Sequence, residues 1–122
     1  METFRGSTKK VVFLAPPPSD VDIKKCYTRL SEPADCVSRV TRHWSSMADV
    51  ESSLATTMGG VFVDSRPWFC NAQGLCPTSI GNTPTKMDLV HMTPEYARKL
   101  VPALDEELVR LKLLPRPRIT AR

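Results

Sequence analysis

The chain has 122 residues, of which 41% are hydrophobic and 25% charged, ordinary values that exclude a disordered, collagenous or coiled-coil protein. Its length suits one domain or part of one. Seventeen Lys and Arg residues against 13 Asp and Glu residues give a formal net charge of +4. The apolar runs are too short for a transmembrane segment or for the hydrophobic region of a signal peptide, so we expect neither.

The first predicted element is a strand over residues 9–15, an apolar run rich in β-branched residues. We expect it to be fully buried and to end at the three prolines that follow. Residues 36–57 are weakly helical and are followed by two glycines that favour a helix end. The apolar residues of this region fall at helical spacing: Met47, Val50, Leu54 and Met58. Residues 61–64 predict a second buried strand.

The strongest helix signal begins at Thr93, a good N-cap that is followed by Pro94 at the first helical position. One apolar face follows it: Ala97, Leu100, Val101, Leu104, Leu108 and Leu111. Pro102 interrupts this pattern, so we expect a kink there or two shorter helices. The positive charge is concentrated beyond this helix. Because no aromatic residue interleaves those charges, residues 114–122 are expected to form a flexible basic tail, with no nucleic-acid partner.

Four cysteines form two close pairs, Cys26 with Cys36 and Cys70 with Cys76. This local pairing is the simplest of three connectivities, and each ring would stabilise the fold by about 2–3 kcal/mol. Neither pair has the ligand gap of a zinc site, so we expect two disulfides and no metal, with zinc or reduced thiols as the alternatives. Disulfides indicate an oxidising compartment.

The order strand, helix, strand, helix predicts an α/β fold with a parallel sheet. Only two strands are evident, whereas a stable sheet normally needs three or more. A parallel pair that is buried on both faces also needs helices on each side. We therefore expect the chain to be an incomplete domain whose remaining strands lie outside it.

Asp88 and His91 are the residues with the clearest potential for catalysis. A carboxylate three residues before a histidine, at a loop-to-helix junction, can accept the Nδ1 proton of the ring. Nε2 is then free to take the proton of a serine hydroxyl, which is a poor nucleophile without a base. The spacing alone fits equally a loop-capping Asp88 and an ordinary surface His91, which remains the alternative.

Six motifs follow one another in the second half of the chain: Val61-Phe62-Val63-Asp64, Trp68-Phe69-Cys70, Cys76-Pro77, Ile80-Gly81-Asn82, Asp88-x-x-His91 and Thr93-x-x-Tyr96-Ala97. As a combination they resemble the C-terminal part of the SGNH (GDSL-like) hydrolase domain that is fused to bacterial membrane acyltransferases of family three. The apolar strand, the prolines and the Cys26/Cys36 loop are similar to the middle of that domain. The resemblance covers nearly the whole chain and is weakest over residues 38–57 and the basic tail.

The resemblance implies the C-terminal portion of an αβα sandwich with a parallel sheet, incomplete in this chain, over residues 1–113. It implies His91 as general base and Asp88 as the carboxylate that orients it, with no metal or organic cofactor. The family's Gly-Asp-Ser nucleophile block and its oxyanion-hole Gly and Asn would precede residue 1. No Gly-Asp-Ser occurs in the sequence, so we expect the chain alone to be nearly inactive.

The implied activity is that of a serine esterase or O-acyltransferase acting on acyl groups, such as acetyl, of cell-surface carbohydrate. The implied partners are the missing N-terminal half of the domain, the membrane acyltransferase region, an acyl donor and a carbohydrate acceptor. The implied location is the extracytoplasmic side of the cell envelope, with a membrane tether in the full-length protein. A non-catalytic, disulfide-stapled binding module and an inactive truncated remnant are the alternatives.

Overall fold

The computed structural model describes residues 10–18, 23–26, 30 and 36–115, and they form an α/β arrangement of helices and short strands. The elements in chain order are β1 (Val12–Leu14), α1 (Ile23–Cys26), β2 (Ser38–Arg39), α2 (Arg42–Thr57), β3 (Val61–Val63), α3 (Arg66–Phe69), β4 (Leu75–Cys76), β5 (Ser79–Ile80), β6 (Thr83–Pro84) and α4 (Pro94–Arg110). The α/β class predicted from the sequence is therefore confirmed. The Cys26–Cys36 loop around Pro33, and the basic tail from Arg116 onward, lie outside the described residues.

β1 and β3 form the parallel pair that the sequence predicts, with Phe13 opposite Phe62. The ladder is continued at one end by the Val61 N–H, which donates to the Val11 carbonyl at 3.0 Å. Among the described residues, β3 is the strand that pairs with β1, and α2 packs against both.

β1 is shorter and more exposed than expected. Val12 and Leu14 are 42% and 52% exposed, whereas Val63 of β3 is buried. The expectation of a fully buried first strand is wrong for these residues, because α2 covers the pair but the described part of the chain leaves the Val12 and Leu14 side chains open to solvent.

α2 begins at Thr41, whose side-chain oxygen accepts the Trp44 N–H at 3.0 Å. Its buried residues are Trp44, Ala48 and Ala55, and the small alanines allow a close approach to the strand pair. The apolar residues at helical spacing coincide with this face only in part, since Met47 packs against the core cluster whereas Val50 is 67% exposed. At 3.6 residues per turn, their mean direction is about a quarter turn from the face that packs.

Two hydrogen bonds fix the proline run that follows β1. The Pro16 carbonyl accepts the indole N–H of Trp44 at 3.1 Å and the hydroxyl of Ser65 at 2.7 Å. Ser65 lies two residues after the end of β3 and is buried. The carboxyl ends of β1 and β3 are thus joined to α2 through a single carbonyl oxygen.

Both predicted disulfides are present, Cys26–Cys36 and Cys70–Cys76. β2 pairs antiparallel with β4, which places the first residues after Cys36 beside the hairpin that the second disulfide closes. β5 and β6 form a further antiparallel hairpin, and Asn82 lies in its turn after Gly81, as a turn residue would.

α4 is a single helix that runs through Pro102, so the alternative of two shorter helices is wrong. Thr93 caps it by accepting the Tyr96 N–H at 3.1 Å. Tyr96 is buried, and its hydroxyl donates to the Trp68 carbonyl. The ring centroids of Tyr96 and Phe69 lie 5.4 Å apart in an edge-to-face arrangement. These contacts join the start of α4 to α3. None of the helices in the described ranges combines the length and the apolar character that crossing a membrane requires.

Gly60 makes a close approach to β1. A methyl group at this position would lie 2.4 Å from the Val11 carbonyl oxygen, which already accepts the Val61 N–H. We expect Gly60→Ala to lower the free energy of unfolding by about 1–3 kcal/mol, because backbone must shift to admit the methyl group. Urea unfolding followed by circular dichroism measures the change.

Gly59→Asn is the matched control. Gly59 has a φ of +66°, which Asn tolerates, and nothing lies within 4 Å of an added Cβ. An equal loss of stability in the two variants would contradict the close approach of residue 60 to β1.

Candidate functional site

Asp88 and His91 are in direct contact just before α4. The Asp88 Oδ2 lies 2.8 Å from the His91 Nδ1. The other carboxylate oxygen, Oδ1, accepts the backbone N–H groups of Val90 and His91, each at 2.8 Å. Both side chains are open to solvent, with Asp88 40% and His91 68% exposed. The spacing predicted a carboxylate that can orient the imidazole, and the two groups lie at hydrogen-bond distance.

The carboxylate is strongly stabilised in its ionised form. Hydrogen bonds from the Val90 and His91 N–H groups, and then from the His91 ring, lower the pKa of Asp88 from 3.8 to about 2. At neutral pH the carboxylate therefore only accepts, so the His91 Nδ1 must carry a proton. In the neutral imidazole, Nε2 is then the nitrogen that can accept a proton from another molecule.

The loop that carries the pair is closed at its base. The Met87 N–H donates to the His91 carbonyl at 2.8 Å, and Lys86 forms an antiparallel bridge with Met92. The Thr93 N–H donates to the Thr85 carbonyl at 3.0 Å. Residues 86–92 are thus a short closed loop whose ends are held together beside the N-cap of α4.

Two buried threonines continue this base into the β5–β6 hairpin. The Thr93 hydroxyl donates to the Pro84 carbonyl at 2.6 Å, and the Thr85 hydroxyl donates to the Thr78 carbonyl at 3.1 Å. Lys99 of α4 donates from Nζ to the Thr83 hydroxyl. The two threonine hydroxyls therefore connect the base of the loop to the hairpin, whereas Lys99 connects the hairpin to α4.

Lys86 is a residue of this region that the sequence analysis did not single out. It is 5% exposed, and its Nζ donates to the Pro18 carbonyl at 2.6 Å. A lysine in a loop is ordinarily exposed, so neither its type nor its position indicated burial. Its one signal was its place two residues before Asp88.

An apolar cavity of about 180 Å³ lies between the end of β1, α3 and α4. Met92, next to the histidine, lines it together with Ala15, Trp68 and Leu100. A second cavity, of about 430 Å³, lies beside the Cys70–Cys76 hairpin. Trp68 and Phe69 line both cavities.

The described contacts of His91 go to Asp88 and Met87 and involve no serine. Ser65 is buried and donates its hydroxyl to Pro16, and Ser79 lies in the β5–β6 hairpin. The described ranges also bring together no group of three or more His, Cys, Asp or Glu side chains that could hold a metal ion. Within the described ranges, the site contains a candidate base and its carboxylate, and no serine is hydrogen-bonded to either.

Comparison with known proteins gives one family. The model of the SGNH domain (fused to AT3 domains) matches residues 1–106, a range that includes β1 to β6, both disulfides and the Asp88–His91 pair. The searches of curated proteins and of solved structures gave no match to the chain.

The low pKa of Asp88 can be tested by following its carboxyl carbon by NMR as the pH falls. We expect a midpoint near 2 in the folded chain. His91→Ala should raise that midpoint but leave it below 3.8, because the Val90 and residue-91 N–H groups still donate to the carboxylate. Since the folded pKa is the lower one, the ionised carboxylate contributes stability above pH 3.8 that is lost as the pH falls through about 2.

Asp105→Asn, an exposed change on α4, is the control for general charge effects on acid stability. It should leave the Asp88 midpoint in place. A midpoint for Asp88 at its ordinary value would show that the carboxylate does not hold the ring in solution.

Proposed function

Because this chain belongs to the SGNH domain family, the one described as fused to AT3 domains, we propose that it carries the acid–base half of a serine esterase or O-acyltransferase site. His91 is the general base and Asp88 its orienting carboxylate. The observation that carries the proposal is the 2.8 Å contact between His91 Nδ1 and an ionised Asp88. That contact leaves Nε2 as the proton acceptor, which is what activation of a serine requires.

In the proposed reaction, a serine Oγ bonds to the acyl carbonyl carbon while its proton passes to His91 Nε2. The tetrahedral intermediate collapses, the bond to the leaving oxygen breaks, and that oxygen takes the proton from Nε2. In the second half, a carbohydrate hydroxyl or water gives its proton to Nε2 as its oxygen attacks the acyl-serine. The second tetrahedral intermediate then collapses, the bond between Oγ and the acyl carbon breaks, and Oγ takes the proton back from Nε2. Asp88 stays ionised throughout and stabilises the imidazolium ion. All steps are proton transfers and acyl transfers, which need no organic cofactor.

The serine and the oxyanion-hole donors are proposed to come from a preceding part of the domain, which would complete a parallel αβα sandwich. The ladder of β1 supports this, because Val11 and Ala15 direct their backbone groups to β3. In a parallel strand the alternate residues, Val12 and Leu14, then direct their N–H and carbonyl groups to the opposite edge. Their side chains are also partly exposed. We propose that a further strand pairs at that edge.

The remaining features of the proposal rest on chemistry and on the family. Two disulfides favour an oxidising compartment, and the family's fusion to AT3 domains supports a membrane acyltransferase region as partner. We propose an extracytoplasmic site that moves an acyl group to or from a carbohydrate hydroxyl. Residues 1–113 are proposed as the domain portion and residues 114–122 as a basic tail.

The test of activity needs the chain joined to the preceding part of its reading frame. We expect that sequence to contain a Gly-Asp-Ser block, and the joined protein to hydrolyse p-nitrophenyl acetate and to be blocked by a serine-directed phosphonate. His91→Ala in the joined protein should lower kcat by about 10²–10⁴-fold, because the serine loses its base. The 122-residue chain alone should be nearly inactive.

His43→Ala is the matched control, since His43 is an exposed histidine on α2 outside the proposed site. It should leave kcat unchanged. Full esterase activity of the 122-residue chain, or a stop codon directly before Met1 in the same frame, would overturn the assignment.

The proposed free edge of β1 makes a separate prediction for the isolated chain. Exposed apolar edge strands associate and bind hydrophobic dyes, so we expect the chain to do both. Leu14→Lys should reduce self-association, because a charge on an edge strand opposes pairing between copies. Light scattering and dye fluorescence measure the two effects.

Val50→Lys is the control, because Val50 is also exposed, at 67%, but lies on α2. It should change neither readout. A monomeric chain that unfolds in one sharp transition and binds no dye would favour the non-catalytic binding module instead.

A further inference from the structure

The buried ammonium group of Lys86 connects the loop of the Asp88–His91 pair to the strand pair. Lys86 is 5% exposed, and its Nζ donates to the Pro18 carbonyl at 2.6 Å across a separation of 68 residues. Placing a charged ammonium group away from water costs free energy unless it is hydrogen-bonded. A surface loop whose position is unimportant gains nothing from burying an ammonium group. The burial of Lys86 therefore needs an explanation.

The acceptor of this bond belongs to a well-fixed part of the fold. Pro18 is buried and lies four residues after Leu14, at the carboxyl end of β1. The same proline run is fixed by the two hydrogen bonds that Pro16 accepts from Trp44 and Ser65. Movement of the Pro18 carbonyl relative to the strand pair is therefore restricted from two sides.

The donor, by contrast, is part of the loop itself. Lys86 is two residues before Asp88, and its backbone forms the bridge to Met92 one residue after His91. Its position therefore governs both ends of the loop. The bonds of Asp88 with Val90 and His91 are internal to that loop. These bonds fix the His91 ring relative to the Asp88 carboxylate. They do not fix the two side chains relative to the strand pair.

We propose that Lys86 is a positioning residue that fixes the Asp88–His91 loop relative to the carboxyl end of β1. The inference rests on the proposed function, because the orientation of His91 affects the reaction only if His91 takes the proton of a serine. In open parallel sheets, reacting groups gather outside the carboxyl ends of the strands, and this is the end at which Lys86 holds the loop. Removal of the Lys86 ammonium group would leave the hydrogen bonds between Asp88 and residues 90 and 91 intact. The loop would then no longer be fixed relative to the strand pair.

The test measures orientation directly, on the 122-residue chain. Residual dipolar couplings of the backbone N–H groups of residues 87–92 are compared with the alignment tensor defined by α2. In the unchanged chain we expect these couplings to fit that tensor. In Lys86→Met, which keeps the length but removes the donors, we expect a loss of amplitude and of fit confined to this loop, while the Asp88 pKa is retained.

Two further variants separate positioning from stability. Lys86→Arg should restore the fit at least in part, because a guanidinium group can also donate to the Pro18 carbonyl. Lys99→Met is the matched control: Lys99 donates to Thr83 in the hairpin below the loop, not to the β1 end. It should leave the couplings of residues 87–92 in place. Unchanged couplings in Lys86→Met would overturn the proposal.

A measurement on the unsubstituted chain covers the case in which Lys86→Met fails to fold. The ammonium protons of Lys86 should exchange with water more slowly than those of exposed Lys99, and Nζ should show a coupling to the Pro18 carbonyl carbon. Exchange as fast as that of Lys99, with no such coupling, would overturn the inference. None of these readouts depends on esterase activity, so an inactive joined protein would refute the proposed function and leave the role of Lys86 standing.

Discussion

The carbonyl oxygen of Pro16 accepts hydrogen bonds from the Trp44 indole and from the Ser65 hydroxyl. The rest of the described structure depends on this junction, because it joins α2, the end of β1 and the end of β3 at one point. Prolines have no N–H to donate, so the run after β1 can be held only through its carbonyl groups. Pro18 is held in the same way, by Lys86. The sheet and the candidate site are thus connected through two carbonyls, those of Pro16 and Pro18, of one proline segment.

The candidate site contains two kinds of constraint that act over different distances. Asp88 is ionised and oriented by backbone N–H groups two and three residues away, which any chain with this loop conformation would supply. The location of the pair depends instead on contacts distant in sequence, through Lys86 to Pro18 and through Tyr96 to Trp68. Acid–base chemistry needs both, since a correctly protonated base is effective only where it reaches the reacting hydroxyl.

Most of the features that the sequence predicted correctly are set by local chemistry, whereas the parallel pairing of β1 with β3 followed from the order of the elements. Examples of the local features are the Thr93 cap, the two disulfides and the contact between Asp88 and His91. Each joins residues that are at most 10 positions apart in the chain. The sequence indicated α2 without showing which face is buried, because the apolar Val50 lies in solvent whereas the small Ala48 is buried. The burial of Lys86 could not be foreseen, because its acceptor is 68 residues away in the chain. Long-range partners leave no periodic signal in a single sequence.

The low pKa of Asp88 arises within the loop, and this affects how the proposed two-part site could be assembled. The pKa of about 2 arises from hydrogen bonds inside the loop, with the carboxylate at the surface. It therefore does not require the desolvated cleft of a finished active site. A preceding half of the domain that paired with the open edge of β1 would meet a base already in the right tautomer. In the proposed assembly, that half would bring the nucleophile and the oxyanion donors and would exclude water, and Lys86 would fix the position of the base relative to them.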